Sequence, residues 1–383
     1  MINKIYLDYA AATPLDPKVL VSMRPFFSEK FFNPSATYLT GRAARLDLNE
    51  QRLKVAQTIG ARPAEIVFTA GATEANNLAI QGVLRQFPEG EVLVSGIEHE
   101  SVLAPAGLFS HKLIPVDKHG LIILNKLSNL ISDKTLIISV MLVNNEIGTI
   151  QPLREIAVLI KEKLNQRKQN GNKLPLYLHT DAAQAANYLD LHVSRLGVDL
   201  MSLNGGKIYG PKQSGCLYVK AGTELQPLIL GGGQEFGLRS GTENLAAAAG
   251  FAKALELAIK RRSSESKRLT DLRKHFEENL TERIQGAFIN GPTSHRAPHI
   301  TSLTVPGFDN ERLMFELDER GIQCAVGSAC SASSDEPSHV LKAVGLDQDQ
   351  ARSTLRFSLG SRTTKDDLEK TVNELVKLTV DNR

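Results

Sequence analysis

Seven short apolar runs, separated by amphipathic stretches, occupy the chain up to residue 219, and this alternation constrains the fold more than any other feature. The runs lie at 65–69, 91–96, 112–116, 136–142, 175–180, 199–203 and 215–219. Each is too short for a helix with a face to bury, and several are apolar at most positions, as strands covered on both sides are. The stretches between them carry the helical period instead. Ala44, Leu48, Val55 and Ile59 share one face of 41–59, and Ile156, Leu159 and Ile160 one face of 152–163. A parallel neighbour is reached only by a crossover long enough to hold a helix, so strands alternating with helices wind into a mostly parallel sheet. The expected fold class is α/β, a large domain built on a seven-stranded, mostly parallel sheet.

The remainder reads differently. From Glu243 onward, Asn244-Leu245-Ala246-Ala247-Ala248-Ala249-Gly250 opens one extended or kinked helix reaching about residue 280. Its middle, 260–268, is highly polar, and the domain boundary is placed there. Beyond it, strands at 287–290, 299–304, 323–326 and 354–358 surround helices at 310–320 and 336–344, and a helix at 366–378 closes a smaller α+β domain. The expected division is 14–260 for the large domain and 1–13 with 261–383 for the small one, since 383 residues exceed what one core serves. The polar stretch 161–173, which contains Gly171, reads as an exposed loop.

Composition excludes several classes of function. Lys and Arg number 45 against 42 Asp and Glu, with no Trp, and this balance gives no whole-chain argument for nucleic acid. No run approaches the ~18 apolar residues of a membrane span. Asp8 stands where the apolar part of a secretory leader would run. Three cysteines cannot build a disulfide framework, and an odd count in such a chain points to a reducing, cytoplasmic compartment.

The chemistry concentrates where strands end. Lys207 follows the run 199–203 in Asn204-Gly205-Gly206-Lys207, among glycines that let a bulky group approach. This is not a nucleotide phosphate loop, because Ile208 replaces the required hydroxyl and Met201 the first glycine. Asp181, in His179-Thr180-Asp181-Ala182-Ala183-Gln184, ends the preceding strand, so the two charges converge on the edge where open α/β sheets bind ligands. Pyridoxal 5'-phosphate needs this pair: a lysine for the Schiff base and a carboxylate at the pyridinium nitrogen. A turn of small residues, Ala70-Gly71-Ala72-Thr73-Glu74, opens a helix whose first N–H groups suit a phosphate. His99 lies just past another strand.

Taken together, Leu7 to Pro14, Asn33-Pro34-Ser35, Ala70 to Glu74, Glu98-His99, Val143 to Gly148, His179 to Gln184, Lys207 to Lys212, Arg239-Ser240-Gly241-Thr242, Gly327-Ser328-Ala329-Cys330 and Arg356 to Gly360 resemble cysteine desulfurases of the IscS/NifS type. These belong to the class V aminotransferase branch of fold-type I pyridoxal-phosphate enzymes. The motifs occur in the family's order along essentially the whole chain. The resemblance implies roles residue by residue. Lys207 matches the Schiff-base lysine, Asp181 the pyridinium partner, and His99 the imidazole that stacks on the ring and shuttles protons. Gln184 and Asn145 match groups near the phenolic oxygen and substrate, while Ala72, Thr73, Asn204 and Gly206 fall at the phosphate. Thr242 matches a residue reaching the phosphate of a neighbouring subunit, which implies a homodimer. Arg356, with Asn145 and Asn33, matches the substrate-binding set, and a planar guanidinium suits a carboxylate better than an ammonium does.

Cys330 matches the sulfur-accepting nucleophile, in a loop of small and short polar residues, 326–335. Cys216 and Cys324 instead fit burial as small apolar side chains, and no Cys or His pattern completes a zinc site. The implied reaction converts L-cysteine to L-alanine and leaves the sulfur as a persulfide on Cys330 for an acceptor or iron–sulfur scaffold protein, supplying cluster assembly or tRNA thiolation. Family members usually carry Ser-x-His before the lysine; here Asn204 and Gly206 occupy those positions, which predicts weakened cofactor binding. Selenocysteine lyase, another class V aminotransferase, and a non-catalytic binding partner are the alternatives on the same fold.

Overall fold

The computed structural model describes residues 4–327 and 337–381. Seven strands form one sheet, in the spatial order Ile66–Thr69, Gly215–Val219, Leu200–Asn204, Tyr177–Asp181, Thr135–Ser139, Glu91–Ser95 and His111–Ile114. Every run expected to be a strand is one, with no bound displaced by more than three residues. Gly215–Val219 alone runs antiparallel to its neighbours. The other pairings are parallel.

Successive residues of a strand point to opposite faces, and both faces here are apolar. Leu93, Ile138, Leu178, Met201 and Leu203 join one core with Val55 and Ile59 of helix Leu39–Ile59 and Phe251 of helix Leu245–Arg283. Val92, Val94, Ile137, Leu200 and Leu217 join the opposite core with Ala75 and Val83 of helix Ala72–Gln86. Double coverage explains why the strands read as nearly continuous apolar runs.

Helix Leu245–Arg283 is a single α-helix of 39 residues. Phe251 and Leu255 at one end are buried under the sheet, and Leu269, Phe276 and Leu280 at the other lie in a second core. Between these ends, residues 259–268 bury none of their side chains. The second core also takes Leu7, Leu303, Leu313, Leu355, Phe357 and Leu375. It is framed by an antiparallel sheet, Thr354–Ser358, Ile300–Thr304 and Phe288–Asn290, and by the parallel pair Ile5–Tyr6 with Ile322–Gln323. The amino-terminal segment thus packs with the carboxyl-terminal third.

Three sequence expectations are corrected. Residues 161–169 are helical, because helix Leu153–Gln169 continues the apolar stripe through Ile160 and Leu164 and then buries Arg167. That guanidinium donates to the carbonyls of Pro175 and Ser132, so a residue that reads as polar loop is internal punctuation for two strand ends. The helix expected at 336–344 is His339–Ala343, opened by Ser338, whose hydroxyl accepts from the amides of Val340 and Leu341. The strand expected at 323–326 is Ile322–Gln323, followed by an isolated bridge from Ala325 to Arg356.

Candidate active site

The carboxyl ends of the parallel strands open on one cleft, the place where a wound sheet leaves unpaired backbone and helix starts together. Nine of the residues singled out in the sequence line it: Ala72, Thr73, His99, Asn145, Asp181, Gln184, Asn204, Lys207 and Arg356. They come from six separate stretches of chain, which only the sheet's winding brings together. Arg356 alone comes from the second core's sheet.

Asp181 ends its strand buried, with Oδ1 accepting from the Ala183 amide at 2.9 Å and Oδ2 from Asn76 Nδ2 at 2.7 Å. Asn76, fully buried on helix Ala72–Gln86, also donates to Ser101 Oγ at 2.8 Å. Ser101 lies 2.8 Å from His99 Nδ1 through its hydroxyl and donates its amide to the same nitrogen at 3.1 Å. A hydrogen-bonded chain therefore joins Asp181 to His99. Glu98, beside it, is wholly buried, with Oε1 accepting from the Met141 amide. Burial, reinforced by the Asp181 charge, pushes its carboxyl well above the usual carboxylate range.

Lys207 stands in the 3-10 turn Gly205–Lys207 directly after the strand Leu200–Asn204. Its Nζ donates to the Ala11 carbonyl, and Asn187 Nδ2 holds its own carbonyl at 2.9 Å. Asn204 caps the turn by accepting the Gly206 amide at 2.9 Å, which leaves the Asn204 NH2 as its donor. The same Asn204 oxygen lies 3.8 Å from where a Cβ on Gly71 would sit, beside the start of helix Ala72–Gln86. Gly71 has no side chain to cap that helix, so the first-turn N–H groups of Ala72 and Thr73 have no partner within it.

Arg356 is buried, with one guanidinium nitrogen on Asp8 Oδ1 at 2.7 Å and another on the Asn145 carbonyl at 3.2 Å. Gln184 is oriented from behind: its amide nitrogen donates to the Ala10 carbonyl at 2.9 Å while its oxygen faces His299 Nε2 at 3.3 Å. Burial pushes His299 down to about 3, so it stays neutral, stacked on Tyr188 with ring centres 4.1 Å apart. Among the described residues, no group of three or more His, Cys, Asp or Glu is placed to hold a metal ion. None of the described helices is long and apolar enough to cross a membrane.

The aminotransferase class-V family model matches residues 5–371. Cysteine desulfurase IscS of Dictyoglomus turgidum is 41% identical over 385 residues, covering 99% of this chain and 95% of that protein. A solved NifS-like protein superposes with a TM-score of 0.89 at 31% identity, covering 99% of this chain and all of the other. A solved chain described as SspA in complex with cysteine gives 0.80 at 36% identity, covering 93% and 98%. The chain belongs to the class-V aminotransferases, among the cysteine desulfurases.

Within this cysteine desulfurase three other predicted residues, Asn33, Gly206 and Thr242, do not line the cleft. Asn33 is exposed, its side-chain oxygen accepting from the Ser35 amide. Gly206 donates its amide to the Asn204 side-chain oxygen, and Thr242 is exposed in the segment after Arg239. Cys330 lies outside the described residues. Cys216 is fully buried in a strand, and Cys324 is half-buried against the second core; burial pushes both thiols up. Sequence reasoning missed Asp8, Asn76, Ser101 and His299. The spacing Asp181-x-Ala183 and the helix start at His99 were visible, but the pairings cross between elements 25 to 348 residues apart.

Proposed function

We propose that this desulfurase uses pyridoxal 5'-phosphate to convert L-cysteine to L-alanine, with Cys330 as the thiol that takes the sulfur. The juxtaposition of Lys207, Asp181 and Arg356 in one cleft carries this reading. The donor set fits the cofactor: a lysine on a turn open to bulk, a buried carboxylate for a ring nitrogen, and a helix start beside Asn204 for the phosphate. When bound, the group withdraws electrons from the substrate's Cα. Lys207 would hold it covalently and Asp181 would orient it, while Gln184, fixed by Ala10 and His299, would serve its phenolic oxygen. Arg356, with Asn145, receives the substrate carboxylate, which must share the guanidinium with Asp8.

Gly206 bears on how tightly the cofactor is held. Its backbone does not adopt a positive φ, and a Cβ there would meet Asn204 Oδ1 at 3.4 Å and Lys212 Cα at 3.9 Å, so a side chain fits. Gly206→His is therefore expected to fold and to tighten cofactor binding tenfold or more, since a hydrogen bond to a charged group contributes roughly 1.5–3 kcal/mol. Titration of the apoprotein with cofactor, followed by absorbance, measures this. Equal dissociation constants for the two proteins would refute it.

A homodimer is part of the proposal, with Thr242 completing the phosphate site of the second copy. Supporting it, Leu39, Leu46 and Leu53, one heptad apart on helix Leu39–Ile59, form an exposed stripe in which Leu39 is 81% and Leu46 70% accessible. The large domain spans 14–260 and the small one 1–13 with 261–383, the latter supplying Arg356 and Cys330. A persulfide carrier needs a free thiol, so we place the protein in the cytoplasm and its partner among sulfur-acceptor or iron–sulfur scaffold proteins. Incubation with cofactor and cysteine tests the reading: alanine should form, with sulfide or protein persulfide in matching amount. Alanine without sulfur release, or neither product, would overturn it.

A further inference from the structure

The chain of contacts from Asp181 to His99 is directional at every link. A carboxylate oxygen only accepts, so the Asn76 group 2.7 Å from Asp181 Oδ2 is its NH2. The second hydrogen of that NH2 then goes to Ser101 Oγ at 2.8 Å, and the Asn76 oxygen is left buried without a partner. Such an orphaned acceptor costs free energy, and turning the amide over would set two acceptors against each other at Asp181. Ser101 Oγ, accepting from Asn76, keeps its own hydrogen to offer to His99 Nδ1 at 2.8 Å. The Ser101 backbone amide, a donor that cannot reverse, reaches the same nitrogen at 3.1 Å.

Two donors on Nδ1 exclude a proton there. A neutral imidazole carries one proton, which is consequently on Nε2. We infer that Asn76 and Ser101 are positioning residues that, through Asp181, hold His99 as the Nε2–H tautomer, a hydrogen-bond donor in the cleft. This specifies the proton-shuttling role that the family resemblance implies for His99: the resting imidazole gives a proton from Nε2 before it takes one, which leaves removal of the Cα proton to Lys207. The inference rests on the desulfurase reading only for what the donor acts on.

The test uses the full-length protein loaded with cofactor and labelled with 15N-histidine, and long-range 1H–15N spectra, with the His99 signals identified by their loss in His99→Gln. The expected pattern at neutral pH is a protonated Nε2 and a bare Nδ1. Ser101→Ala should shift the tautomer ratio toward Nδ1–H by about tenfold, the effect of one hydrogen bond of roughly 1–1.5 kcal/mol. It should lower kcat by a similar factor, with KM and the cofactor dissociation constant unchanged. Ser101→Thr, which keeps the hydroxyl, should restore both and shows that the site still folds. A wild-type His99 protonated on Nδ1, or a tautomer ratio indifferent to Ser101→Ala, would overturn the inference. The tautomer is read without turnover, so failure of the desulfurase reading would appear separately, as absent alanine from the wild type.

Discussion

Lys207→Ala is expected to lower alanine formation from cysteine by at least ~10⁴-fold, because it removes both a covalent anchor and a general base, each of which typically contributes ~10²-fold or more. Among the described residues lining the cleft Lys207 alone carries an amine, and its turn is fixed on both sides by Asn187 and Thr13. No neighbour can take its place. Lys207→Arg is expected to be equally inactive despite keeping the charge, since a guanidinium stays protonated and cannot serve as the amine. Both variants should keep the wild-type unfolding temperature, because Lys207 is only half-buried, and both should lose the visible band of covalently held cofactor. Alanine quantified after incubation with cysteine decides the matter; substantial product from either variant would refute the role assigned to Lys207.

The second large effect concerns stability. Arg52, on helix Leu39–Ile59, makes two contacts of 2.6 and 2.7 Å to the carboxylate of Glu235, and both side chains are almost fully buried. Arg52 also donates to the Ile66 carbonyl, Glu235 accepts from the Phe68 amide, and the guanidinium sits between the rings of Phe68 and Phe236. Glu235 and Phe236 hold positive φ of 49° and 60°, a conformation that side-chain-bearing residues adopt only when their surroundings enforce it. Arg52→Ala leaves the Glu235 charge buried and uncompensated, which costs about 3–5 kcal/mol. Removing both halves, Arg52→Met with Glu235→Leu, should cost less than Arg52→Ala alone, because no orphaned charge remains. Denaturant unfolding of the three proteins measures this, and a double variant less stable than Arg52→Ala would contradict it. The affected segment leads into Arg239, which pairs with Glu74 at the first turn of helix Ala72–Gln86, so the damage should also reach cofactor affinity.

Much of this architecture is written locally. Six of the seven sheet strands are legible because burial on both faces forces apolar residues at consecutive positions, His111–Ile114 at the sheet's edge burying only Ile114. Asp181 and Asn204 are legible because they end strands, and Ala72, Thr73 and His99 because they start helices. What escapes the sequence is pairing over distance. Arg167 reads as loop polarity until the carbonyls of Ser132 and Pro175 are seen to need a donor. Asn76 reads as one more polar residue in a helix start until Asp181 and Ser101, from two other elements, close on it. Arg356 is recognisable as a carboxylate clamp, yet its engagement with Asp8 depends on the amino-terminal segment lying against the last strand. Polar specificity of this kind is set by tertiary contact, whereas periodicity reports only which side of an element is dry.

The claim that binds these parts together is that sulfur leaves cysteine for Cys330. Mass analysis of the cofactor-loaded protein after brief exposure to cysteine, with peptides mapped under non-reducing conditions, tests it most directly. The account predicts an added mass of one sulfur atom on the peptide carrying Cys330, none on those carrying Cys216 or Cys324, whose thiols burial keeps protonated, and none anywhere in Cys330→Ser. Sulfur carried by either buried cysteine, or full sulfide release by Cys330→Ser, would contradict it.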